Sequence, residues 1–91
     1  MSSSYKKDPD ATLDYTMDWS DWLDPVQDAI IAVEWLPDEG LTVANSSHTA
    51  TTATAMVSGG AVAERLNLTC RITTRDGRTD DRSITLNIVN R

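Results

Sequence analysis

Two stretches near the end of the chain restrict its fold more than any other feature. In the first, Leu66, Leu68, Cys70 and Ile72 alternate with Arg65, Asn67, Thr69, Arg71 and Thr73. In the second, Ile84, Leu86 and Ile88 alternate with Ser83, Thr85 and Asn87. Successive side chains of a strand point to opposite faces, so each stretch has one apolar and one polar side. Between them, Thr74 to Thr79 carries Asp76-Gly77, a pair suited to the positive φ angles of tight hairpins. The expectation is a long antiparallel hairpin. Leu68, Cys70, Ile72, Leu86 and Ile88 should face a core together with Trp35, and everything upstream must close that core from the other side.

A chain of 91 residues holds one such core and no second. There is no Phe, so the core must rest on aliphatic residues, Met and the three Trp. No apolar run approaches membrane-spanning length, and Met1-Ser-Ser-Ser-Tyr-Lys-Lys leads into acidic sequence without a signal-peptide core. The lone Cys70 lies on the apolar side of its stretch and reads as a small core residue rather than a nucleophile. These features point to folding in a reducing cytoplasm.

Charge is unevenly distributed. Residues 1–45 carry ten acids against Lys6 and Lys7, a net of −8, while residues 46–91 carry four acids against six arginines, a net of +2. A chain at −6 overall lacks the basic face a nucleic-acid binder needs.

Taken in order, residues 1–10 are Ser-rich and charged and read as an extended, flexible arm, with the folded domain spanning residues 11–91. Leu13, Tyr15, Met17 and Trp19 alternate with Asp14, Thr16 and Asp18, a strand with an acidic outer side. Ser20 to Asp28 reads as a loop or single helical turn. Ala29 to Leu36 is a second strand, with Ile31, Val33 and Trp35 on one side. Pro37-Asp38-Glu39-Gly40 is a turn, Leu41 to Ala44 a short strand, and Asn45 to Thr49 a polar loop. In the strand from Ala50 to Val57, Ala53, Ala55 and Val57 share a face; Ser58-Gly59-Gly60 ends it. Six or seven short strands separated by turns, with almost no helical periodicity, predict an all-β, immunoglobulin-like antiparallel two-sheet sandwich. A small barrel is the competing architecture.

The ordered set Asp8-Pro9-Asp10, Leu13-Asp14-Tyr15-Thr16, Asp18-Trp19-Ser20, Gly40-Leu41-Thr42-Val43, Thr51-Thr52-Ala53-Thr54, Ser58-Gly59-Gly60, Arg71-Ile72-Thr73-Thr74, Gly77-Arg78-Thr79-Asp80 and Arg82-Ser83 resembles the small tailed-bacteriophage proteins known as fibre-tail adaptors. That resemblance implies a non-enzymatic virion component with an immunoglobulin-like fold. It would be made in the host bacterial cytoplasm and present in several copies in the tail or head-tail region. Its partners would be tail, connector or fibre proteins, with no nucleic-acid or membrane partner. One position departs from the sandwich pattern: where a tyrosine corner would place its Tyr, this chain has Leu66, so the loop there is held by packing alone.

No residue set assembles a catalytic, metal or cofactor site. His48 sits in a Ser/Thr-rich loop and reads as solvated. Asp18, Asp21, Asp24 and Asp28 lack the glycine and terminal glutamate of a calcium loop and read as an acidic rim. Carboxylate pairs of the glycosidase kind have no room for a sugar cleft in so small a chain. The sequons at Asn45 and Asn67 are chance matches where no secretory signal is expected. Candidate protein contacts are Tyr5, Lys6 and Lys7 in the arm, Trp22 outside the alternating pattern, and Arg75, Arg78 and Arg82 around the hairpin tip. Trp22 could instead cap the core. The functional alternatives are a carbohydrate-binding or adhesion module that uses Trp22 as a platform, a capsid decoration protein, and an acidic DNA mimic. The six arginines weaken the mimic.

Overall fold

The computed structural model describes residues 3–89. Seven strands follow the alternating sequence: β1 (Ser3–Lys7), β2 (Leu13–Asp18), β3 (Ile30–Pro37), β4 (Leu41–His48), β5 (Thr52–Gly59), β6 (Arg65–Thr74) and β7 (Thr79–Ile88). A short helix α1 (Ser20–Leu23) and a 3₁₀ turn (Asp24–Val26) join β2 to β3. Pro25 suits the start of that turn, having no N–H to leave unbonded. The strands form two sheets, ordered β1-β7-β6-β3 and β2-β5-β4. These neighbour relations are those of an immunoglobulin sandwich, except that the first strand lies beside the last rather than beside β2.

The β6–β7 hairpin is regular from Arg65↔Asn87 to Thr73↔Thr79. At its tip the Gly77 N–H donates to the Thr74 carbonyl (2.9 Å) and the Thr74 N–H to the Arg78 carbonyl (2.8 Å). Gly77 has φ 86°. This is a type I turn closed by a bulged glycine, and the φ explains the Asp-Gly pair. Leu68, Cys70, Ile72 and Leu86 are completely buried, Ile88 nearly so, and Trp35 packs partly buried against them. The opposite wall is Met17, Trp19, Leu23, Ala53, Val57 and Leu41.

Three local expectations are corrected. Residues 3–7, expected in a flexible arm, form β1, a parallel partner of β7 running from Ser3↔Ile84 to Lys7↔Ile88. The arm's Met1 and Ser2 lie outside the described residues. The register puts Tyr5 and Lys7 on the same side as Leu86 and Ile88, where Lys7 is buried and Tyr5, at the margin, stays about half exposed. A lysine can occupy such a position because its stem is apolar and its ammonium finds carbonyls. Second, a register shift between Ile30 and Ala32 reverses the expected alternation at the start of β3. Ile30 is therefore buried and Ile31 is 59% exposed. Third, β4 runs on to His48 through a bulge between Ala44 and Ser47, where Asn45 takes a positive φ of 52°. The expected loop is an irregular continuation of the strand, since Asn tolerates that conformation at little cost.

Candidate interaction surface

The loop joining β2 to β3 lies against the β6–β7 hairpin tip, and most of the arginines of that tip are used in holding the two together. Asp28, expected on a solvated rim, has a fully buried side chain. Its Oδ1 accepts the Ala29 N–H (2.8 Å) and the Asp76 N–H (3.1 Å), and its Oδ2 accepts Arg78 Nε (3.1 Å). Burial alone would raise the Asp28 pKa, but hydrogen bonds from Thr74, the two backbone amides and Arg78 outweigh it and bring it to about 2. The Arg78 guanidinium lies 4.1 Å from the centre of the Trp22 ring, covering one face. Trp22 is half-buried against the core, in keeping with the capping role weighed for it.

Arg75 donates to the Gln27 carbonyl, and Arg82 to the Asp18 carbonyl. Arg82 also lies 5.0 Å from the Trp19 ring centre and 3.8 Å from Asp80. Trp19 Nε1 donates to the same Asp80 carboxylate (2.9 Å), which satisfies the polar atom of an otherwise buried indole. Arg78 and Arg82 thus act first as internal clasps.

Lys7 is likewise internal. It is fully buried, with Nζ donating to the carbonyls of Asp8 (2.9 Å) and Gly59 (2.8 Å), so it offers nothing to a neighbour. Desolvation lowers its pKa, against the opposing pull of Asp8 and Asp10. Of the expected contact residues, Tyr5 (46% exposed), Lys6 and Arg75 remain at the surface. The structure does not bring them together: Tyr5 and Lys6 lie on β1, and Arg75 at the hairpin tip.

A surface the alternation does not reveal lies at the side of the sandwich. Tyr5 packs edge-on against Tyr15, with ring centres 5.7 Å apart. Beside them a cleft of about 410 Å³ opens between β2 and β7, lined by Tyr5, Thr16, Met17, Asp18, Arg82, Ser83 and Ile84. β1 covers β7 only from Ile84 onward, which leaves the preceding half of β7 unpaired on that side among the described residues. Alternation specifies which side chains face inward. It does not specify which strand edges end up adjacent, so no sequence signal marked Thr16, Met17, Ser83 and Ile84 as neighbours.

His48 is exposed, with Nδ1 3.0 Å from the Thr49 carbonyl. Among the described residues no three His, Cys, Asp or Glu side chains are grouped so as to hold a metal ion. Among the described residues, no helix is long and apolar enough to cross a membrane.

Sandwich, edges and internally engaged charges together define a small β-sandwich interaction module. The family model described as podophage GP4 fiber-tail adaptor protein gp77 matches residues 7–87, nearly the whole chain. The chain belongs to that family of structural phage adaptors, whose place is the virion tail among other virion proteins. No curated protein matches it.

Proposed function

We propose that this chain is a non-enzymatic structural component of a tailed bacteriophage that joins the tail to its fibres, present in several copies per particle. The family match over residues 7–87 carries this reading. Such a part must hold its shape while presenting surfaces to two neighbours. The sandwich suits that role because the buried Asp28 and Lys7 are hydrogen-bonded within the fold and its outer edges lie on both sides of a single core. Synthesis in the host cytoplasm agrees with a buried, unpaired Cys70. The carbohydrate-binding alternative needed Trp22 as an open platform, and Arg78 already covers a face of that ring.

The test is a phage lacking the gene for this chain. Its particles should keep filled heads and tail cores, lose fibres, and regain them when the protein is supplied in trans. Particles that retain a full set of fibres without the chain would refute the joining role.

A further inference from the structure

We infer that the cleft between β2 and β7 is a strand-addition site that takes an extended, alternating basic and apolar segment of a neighbouring protein. The inference rests on the adaptor reading above.

The four outermost strands differ in how well they could accept another strand. Unpaired edges are templates for pairing, and proteins usually blunt them with bulges, proline, lysine or shortness. β3 carries a register shift at Ile30/Ala32 and ends in Pro37. β4 carries the Ala44/Ser47 bulge. β1 has five residues and carries the exposed Lys6. β2 has no bulge, proline or lysine: it pairs with β5 without a break from Leu13↔Val57 to Asp18↔Thr52, and no described strand pairs with its other side, although Arg82 donates to the Asp18 carbonyl.

Next to that open edge lies the cleft of about 410 Å³, with Met17 and Ile84 at its base and the exposed Tyr5 ring at its rim. An added strand alternates its side chains as β2 does. Residues on its inner side therefore meet Met17, Ile84 and Tyr5 and should be apolar. Residues on its outer side stand beside Asp14, Thr16 and Asp18, where two exposed carboxylates favour Lys or Arg. Arg82 also lines the cleft, where it pairs with Asp80, donates to the Asp18 carbonyl and acts on the Asp18 carboxylate, so the preference for a cation rests chiefly on Asp14. The same acids exclude the most obvious rival. Two copies of β2 paired antiparallel about Thr16 would bring Asp14 of each against Asp18 of the other, and like charges across strands are destabilising.

The test uses the full chain with a capped synthetic peptide alternating lysine and valine, followed by amide hydrogen exchange. Exchange within residues 13–18 should slow at least tenfold on saturation, while β3 and β4 amides remain unchanged. Asp14→Lys should weaken peptide binding at least tenfold. Glu34→Lys, on the far edge strand, should leave it unchanged. The inference is overturned if a glutamate–valine peptide binds equally well, if protection falls on β3 or β4, or if nothing binds. It is also overturned if β2 becomes protected merely on concentrating the chain, which would make the occupant a second copy. Occupancy of the wild-type chain in purified tails is scored separately. Its absence there refutes the adaptor role, whereas a chain present in tails that fails the peptide assay refutes only the strand-addition site.

Discussion

Gly59 and Gly77 both have positive φ, and the difference between them gives a quantitative test of the packing at the end of the sandwich. Gly59 has φ +97°, and a Cβ built there falls well inside contact distance of the Gly40 carbonyl oxygen, with Leu41 Cα 3.6 Å away. These neighbours are backbone, so no side chain can swing aside. Gly59 also pairs with Leu41, and its carbonyl accepts the buried Lys7 ammonium at 2.8 Å. Gly59→Ala adds backbone strain of about 1–3 kcal/mol. Any shift that relieves the contact pulls on a charge-assisted bond worth about 1.5–3 kcal/mol. A total near 2–4 kcal/mol is expected, out of the roughly 5–14 kcal/mol typical of a chain this long. That corresponds to a fall in Tm on the order of 10–30 °C. Gly77, with φ +86°, has nothing within 4 Å of its added Cβ. Gly77→Ala should therefore cost only the strain of the left-handed conformation, about 1–2 kcal/mol. Urea denaturation followed by tryptophan fluorescence measures both. If the two variants lose the same stability within about 0.5 kcal/mol, then the close approach of β4 and β5 at Gly40 and Gly59 is not a tight contact and the reasoning fails.

Three further outcomes are expected. Leu68→Ala and Leu86→Ala, each at a completely buried position, should cost about 2–5 kcal/mol by equilibrium unfolding, and near-native stability in both would mean the two faces of the hairpin are reversed. The folded pKa of Asp28, about 2, lies below its ordinary 3.8. Its contribution is thus fully present above 3.8 and is lost as pH falls toward 2; denaturation midpoints across that window should drop in the native chain and drop less in Asp28→Asn. Burial, with a smaller push from Asp81, raises the Cys70 thiol to about 12, so a thiol reagent at neutral pH should label it only after unfolding.

Much of the architecture is legible in the residues because period-two alternation is a direct record of burial. The hairpin strands and the small-residue inner face of β5 follow from it, and the tip follows from the turn chemistry of Asp76-Gly77. The misreadings have a common physical origin. β1 contains one aromatic residue and two lysines, and its place in the sheet depends on a backbone ladder with β7 and on carbonyls that receive Lys7, neither visible in local composition. The bulges at Ile31 and Asn45 shift one residue in an otherwise correct pattern. The arginines near the tip look available in the sequence because their partners, Asp28, Trp22, Trp19 and the Gln27 carbonyl, are 48 to 63 residues distant. The cleft was hidden for the same reason, since its two walls are β2 and β7.

The parallel pairing of β1 with β7 has a mechanical consequence. Both strands run the same way, so the entry to β1 at Ser3 and the exit from β7 at Ile88 lie toward opposite ends of the five-pair ladder. Tension applied between those two points slides one strand along the other. It does not peel them apart bond by bond. The hydrogen bonds of the ladder then share the load together, and separation requires several to fail at once. Tension across the lateral edges would instead meet the sheets one strand at a time, so the sandwich should resist pulling far better along its strands than across them.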